Sequence, residues 1–184
     1  MKVLVVSGYQ PVELNIFDFN DQRIHYLKKA IEKRLISFIE EGMEWILISG
    51  QIGVELWTAE IVLALKKNYD IHLAVIPPFK NQEKKWPEPY QQQYLELIHL
   101  ADFYQPIYEE DYQGAYQFRA KNKWFIQKSD ACLLLMDEEF PESVRYFHEM
   151  AKKTEDYPIY YITPLDIEDT ILEMKMMDPN YWNE

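Results

Sequence analysis

Trp45-Ile46-Leu47-Ile48-Ser49-Gly50-Gln51-Ile52-Gly53-Val54-Glu55 is the stretch that decides the fold. A short apolar run stops at two glycines three apart, and a helical pattern begins directly after them. A buried strand that turns through glycine into a helix N-terminus bares backbone N–H groups at the end of a sheet. The helix dipole there favours negative charge. The stretch therefore predicts a strand–helix unit with an anion site in the backbone around Gly50 and Gly53. Glu55 falls in the first turn of that helix. Its carboxylate either satisfies the dipole or meets a ligand hydroxyl, in ribose recognition or in acid–base work. Glycines also end strands for steric reasons alone, so the spacing gains weight only where the same grammar repeats.

It repeats along the whole chain. Apolar strands are predicted at residues 2–7, 45–49, 71–76, 103–107, 131–136 and 159–163. Between them lie helical patterns at 21–41, 54–67, 90–100, 112–128 and 143–153, with a last helix at 165–177 behind Pro164. In the first helix Ile24, Leu27, Ile31, Leu35, Phe38 and Ile39 recur at helical spacing, and Gly42 ends the pattern. Residues 79–89 are polar and carry Pro87 and Pro89, which predicts a loop. Short apolar strands alternating with helices predict an α/β fold: one Rossmann-like, mostly parallel open sheet with helices on both faces. No repeat, linker or low-complexity tract divides the 184 residues, so residues 1–184 read as one domain.

Charge narrows the partners. The chain has 19 Lys and Arg against 31 Asp and Glu, a net charge of −12. Such a charge argues against nucleic acid, whose binding relies on Lys and Arg releasing counterions from phosphates. No segment approaches the ~20 apolar residues that span a bilayer, and the apolar run at 3–6 is too short for a signal peptide's core. Cys132, the one cysteine, sits in an apolar run and reads as packing. These features predict a cytoplasmic protein with no membrane partner.

Several chemistries lack their signatures. No GxGxxG follows the first strand, and GxxxxGK[ST], HExxH and GxSxG are missing. The four histidines are scattered, so no metal site is assigned, and no cofactor is assigned beyond a nucleotide-derived ligand. In open α/β sheets ligands sit beyond the carboxyl ends of strands. That rule nominates Ser7-Gly8-Tyr9, the segment from Ser49 to Glu55, Pro77-Pro78-Phe79, Asp137-Glu138 and Thr163-Pro164. Gly8 marks either a tight turn or a close backbone approach to ligand. Asp137 follows a buried strand at its productive end, as a structural or a functional carboxylate. Arg119 and Asn122, three apart, share a helix face. Turned toward the crevice, they would hold a phosphate and a base or ribose edge; turned outward, they are solvated.

Ser49-Gly50-Gln51-Ile52-Gly53-Val54-Glu55 with Ala59 resembles the SG-x-x-x-G-[IV]-[DE]-x-x-x-A motif of the SLOG superfamily. That superfamily includes the DNA-processing protein DprA (Smf) and the LOG phosphoribohydrolases. Within it the chain looks like the YpsA family, which opens with a glycine-tyrosine turn, here Ser7-Gly8-Tyr9, followed by Glu13-Leu14 and Phe17. That family also carries an RN-x-W helix before an S-D strand, here Lys121-Asn122-Lys123-Trp124 and Ser129-Asp130. The resemblance runs nearly full length and implies a Rossmann-like pocket for a nucleotide or derivative such as ADP-ribose or NAD. Gly50, Gly53 and Glu55 would stand at its centre, with Gly8, Tyr9 and Asn122 nearby. It also implies a regulatory role linked to cell division. Lys121 replaces the arginine of the RN pair, and Gln10 stands where an arginine often follows the turn. The stretch 136–142 lacks the glycines of the LOG signature PGGxGTxxE.

Four functions follow from these readings. One is a nucleotide-ligand sensor or regulator. Another is a glycosidic-bond hydrolase acting on a nucleoside monophosphate or ADP-ribose derivative, with Glu55 as its catalytic carboxylate. The third is a DprA-like single-strand DNA binder, against which the net charge counts. The last is an interaction protein whose protein partners meet its aromatic surface.

Overall fold

The computed structural model describes residues 1–183. Its centre is one six-stranded parallel sheet, formed by β1 (Val3–Gly8), β2 (Trp45–Ile48), β3 (His72–Val75), β4 (Phe103–Tyr104), β5 (Ala131–Leu135) and β6 (Ile159–Ile162). The order across the sheet is β4-β3-β2-β1-β5-β6. Helices α1 (Arg23–Glu40), α2 (Val54–Leu65), α3 (Glu88–Leu100), α4 (Tyr116–Lys128), α5 (Arg145–Lys153) and α6 (Pro164–Met177) connect and flank the strands. This is the Rossmann-like α/β architecture that the alternating pattern predicts.

Burial explains the apolar runs. All five residues of β5 are buried, as are Leu4, Val5 and Val6 of β1, which sits between β2 and β5. A parallel strand covered on both faces needs a continuous apolar run rather than alternation. Helix α2 is buried nearly all round, with Val54, Leu56, Trp57, Ala59, Ile61 and Val62 in the core, because α1 and α3 pack on its flanks. Helices α1 and α6 also touch, while α4 and α5 pack on each other as a separate pair.

Some boundaries move for local reasons. The strand predicted at 103–107 stops at Tyr104, two residues before Pro106, which has no N–H to give a ladder. The helix predicted from 112 starts at Tyr116. Ahead of it the Gln117 side chain folds back and accepts from the amide of Gln113 at 2.8 Å. The predicted loop 79–89 holds a 3-10 turn, Gln82–Lys85, and α3 begins at Glu88 with Pro89 in its first turn. Another 3-10 turn, Pro11–Leu14, follows the first strand.

Cys132 is fully buried in β5, and burial pushes its thiol pKa up to about 12. The thiolate is the reactive form. Native protein is therefore expected to resist a thiol reagent such as iodoacetamide at neutral pH, and to react quantitatively once unfolded in urea. Rapid labelling of the native protein would contradict this packing.

Candidate functional site

The chain leaves β1, builds outward through β2, β3 and β4, and then crosses back to lay β5 on the other side of β1. The strand order reverses there, so the connections leaving β1 and β5 diverge and open a crevice. A cavity of about 460 Å³ lies at this point. Ser7 and Gly8 reach it from the end of β1, Ser49, Gln51 and Glu55 from the β2–α2 bend, and Pro78 and Gln82 from beyond β3. Ala115, Phe118, Arg119, Lys121 and Asn122 form a wall from α4 and the residue before it, and Ser143, Val144, Tyr146 and Phe147 form another at the start of α5. Of the residues nominated by sequence, Gly8, Ser49, Glu55, Arg119 and Asn122 meet here. Tyr9, Gly50, Gly53 and Asp137 do not line the cavity.

The Glu55 carboxylate is held by the strand ends. Its Oε1 accepts from the Ser49 amide and the Ser49 hydroxyl, both at 2.7 Å, and its Oε2 accepts from the Ser7 hydroxyl at 3.1 Å. Glu55 is only 5% exposed, so these bonds give a buried charge the donors it needs. The side chain thus ties the ends of β1 and β2 to the first turn of α2.

The bend itself is close-packed. Gly50 and Gly53 both have positive φ, at +86° and +96°. A side chain on Gly50 would meet the Tyr94 ring at 2.7 Å, and one on Gly53 the Tyr9 carbonyl oxygen at 2.5 Å. At Gly8 it would meet the Leu135 carbonyl oxygen at 2.8 Å. Contacts within the chain therefore account for all three glycines. Several amides of the bend are also engaged: Val54 donates to the Tyr9 carbonyl, Leu56 to the Gln51 carbonyl, and Ile52 to the Gln51 side chain. Among the described residues the amides of Gly50, Gln51, Gly53 and Glu55 have no protein acceptor.

Tyr9, between the lining residues Gly8 and Gln10, bonds instead to the segment that begins at Asp137. The Asp137 amide donates to the Tyr9 hydroxyl at 2.9 Å, and that hydroxyl donates to the Phe140 carbonyl. This pins the connection after β5, which leads into the α5 wall.

The clearest ligand signals lie on α4. Lys121 is partly buried, its ammonium over the Phe125 ring at 5.2 Å and the Phe147 ring at 6.0 Å. Desolvation lowers its pKa from the ordinary 10.5, and the Glu55 carboxylate opposes that shift. Among the described residues no carboxylate pairs with it. Beside it Asn122 is 5% exposed, and among the described residues its buried Oδ1 has no hydrogen-bond partner. Buried polar atoms are nearly always satisfied. A desolvated cation beside an unpartnered acceptor can receive an anion and a hydrogen-bond donor. Sequence reasoning left Arg119 and Asn122 facing either the crevice or solvent, and named Lys121 only as the replacement for the family's arginine. The spacing Lys121–Phe125, one helical turn, was the available signal.

Fold and cavity together define a Rossmann-like α/β protein with a crevice at the switch point of its sheet. The chain matches the family model YpsA, described as "YspA SLOG family", over residues 4–167, and it belongs to that family. It is 55% identical over 184 residues, all of both chains, to a UPF0398 protein of Oceanobacillus iheyensis. It is 48% identical over 177 residues to the UPF0398 protein YpsA of Bacillus subtilis, covering 94% of this chain and 98% of that one. A UPF0398 protein of Halalkalibacterium halodurans is 46% identical over 182 residues, covering 97% of this chain and 96% of that one. Among the described residues no helix is long and apolar enough to cross a membrane.

Proposed function

We propose that this cavity binds a nucleotide or nucleotide-derived ligand and that the protein acts as a sensor or regulator. The observation that carries this reading is the Lys121–Asn122 pair: among the described residues the cation has aromatic rings but no carboxylate beside it, and the buried acceptor has no hydrogen-bond partner. A phosphate-class anion answers the first, and a ribose hydroxyl or a base N–H answers the second. Phe118 and Tyr146, both solvent-exposed rings on the cavity lining, offer π-faces for a base. A role in cell division enters through the family resemblance.

The engagement of Glu55 favours binding over turnover. A general base needs reach to a substrate proton, whereas this carboxylate already accepts three hydrogen bonds. The test is calorimetric titration with nucleoside monophosphates, nucleoside diphosphates, ADP-ribose and NAD, followed by chromatography of the mixtures. Saturable binding with no free base released is the expected result. Release of base by the wild type, lost in Glu55→Gln, would establish the hydrolase instead. For Glu55→Gln we expect weakened binding with a stability loss of about 1–3 kcal/mol, because a buried acceptor is exchanged for an amide donor.

A further inference from the structure

Gly8 and Gln10 line the first cavity, while Tyr9 between them lines a second one of about 250 Å³. Its lining is apolar: Leu135 and Met136 at the end of β5, Ile162 at the end of β6, Leu27 from α1, and Ile167 and Ile171 from α6. Leu27, Leu135, Met136 and Ile162 are core residues, so this cavity reaches the interior. Interiors are close-packed, and voids wider than a water molecule are few. An apolar cavity of roughly 150 Å³ stays dry and takes benzene, so this one has room for a bicyclic ring.

Charge decides the class of occupant. Arg23 is the one charged residue among the described residues of the lining, and protein acceptors already hold its guanidinium. Nε donates to the Asp21 carboxylate at 3.1 Å and Nη2 at 2.7 Å, while Nη2 also donates to the Asn15 carbonyl at 2.8 Å. An anionic ligand would have to displace Asp21 to reach this cation. An uncharged apolar ligand asks for no such exchange and gains by leaving water.

Tyr9 joins the two cavities. Its carbonyl accepts from the Val54 amide at the start of α2, next to Glu55. Its hydroxyl receives the Asp137 amide and donates to the Phe140 carbonyl, on the segment that leads to Ser143 and Val144 of the first cavity. We propose that the second cavity binds a small, uncharged, apolar molecule and that Tyr9 passes its occupancy to the first cavity. This site is independent of the nucleotide reading.

The test titrates indole into the full chain, labelled for methyl and amide NMR. Saturable shifts of the Leu27, Ile162, Ile167 and Ile171 methyls are expected, with a Kd of about 1 mM or tighter, which burial of a bicyclic apolar ring supports. Indole-3-carboxylate should bind about tenfold more weakly or worse, since no free cation of the lining receives its charge. Leu14→Phe and Ile171→Phe, at two half-buried residues of the lining on separate elements, should each fill the cavity and weaken indole about tenfold or more. Urea midpoints show whether each variant folds, and the wild-type methyl map decides the site without either. Absence of saturable shifts, shifts confined to Val144 of the first cavity, or equal binding of the carboxylate overturns the site. Shifts of the same methyls that depend on protein concentration without indole would give the cavity to a second copy of the chain and overturn it too. For the coupling, indole should also shift the Val54, Asp137 and Phe140 amides. Tyr9→Phe, which lacks the hydroxyl, should shrink the Asp137 and Phe140 responses relative to those of the methyls. Amides that do not respond, or a ratio that Tyr9→Phe leaves unaltered, overturns the role of Tyr9.

Discussion

Lys121→Met is expected to reduce affinity for a nucleoside monophosphate about 10- to 100-fold while leaving the protein as stable as the wild type. A hydrogen bond to a charged partner contributes about 1.5–3 kcal/mol, and tenfold in affinity is about 1.4 kcal/mol, which sets the first expectation. Two opposing effects set the second. The substitution removes cation–π contacts with Phe125 and Phe147, which contribute about 0.5–2 kcal/mol. It also removes the cost of desolvating an ammonium group, the cause of the lowered Lys121 pKa, and methionine is unbranched and fills similar space. Calorimetry paired with urea denaturation separates affinity from stability. Equal affinity in the variant would take the anion off Lys121. The pH dependence has a defined sign. Without ligand the pKa lies below its unfolded value of 10.5, so the folded state loses the proton first as pH rises. A bound anion favours the protonated form, so wild-type affinity should fall as pH rises through the unliganded pKa. The methionine variant should lack that dependence.

The fold was legible because parallel strands buried on both faces leave uninterrupted apolar runs, and β5, Ala131 to Leu135, is a clear example. Strand ends were legible by the same route, which is why Gly8, Ser49 and Glu55 fall on the cavity. Arg119 and Asn122 were legible as one helix face, but the direction that face turns, toward the cavity, was not. Nor was the α5 wall. Ser143 owes its place to Glu13, 130 residues away, and both sit in short 3-10 turns with no periodic signal. Asp137 is the instructive case. It follows a buried strand as the rule requires, yet its amide turns to the Tyr9 hydroxyl and the wall forms several residues later. Strand ends point to a crevice, but the connecting loop decides which residues face it. Glu55 carries a similar lesson. Its position in the first turn of α2 is written in the motif, while its three hydrogen bonds depend on where two strand ends meet.

Gly53→Ala is expected to lose about 3–4 kcal/mol of stability, and with it the shape of the cavity. Two costs combine. The backbone angles, φ +96° and ψ −130°, fall in a region kept by glycine and disfavour any residue with a Cβ, by roughly 1–3 kcal/mol. The added methyl would also lie 2.5 Å from the Tyr9 carbonyl oxygen, 2.9 Å from Gln10 Cα and 3.0 Å from Pro11 Cδ. Those neighbours are backbone and a proline ring, which cannot swing aside, and overpacking of this kind costs about 1–3 kcal/mol. Gly42 supplies the control. Its φ is +104° and among the described residues nothing lies within 4 Å of the added carbon, so Gly42→Ala meets a backbone cost without a clash. The urea midpoint should therefore drop further for Gly53→Ala than for Gly42→Ala; equal midpoints would show that the Tyr9 turn yields. The relief available to Gly53→Ala is a shift of that turn, which would disturb the Val54 amide bond to Tyr9 and the Tyr9 bonds to Asp137 and Phe140. Those bonds hold the connection leading to Ser143 and the α5 wall. Loss of ligand binding in Gly53→Ala would therefore report a displaced wall rather than a lost contact between amide and phosphate. Lys121→Met, which leaves that turn untouched, is the variant that interrogates the anion directly.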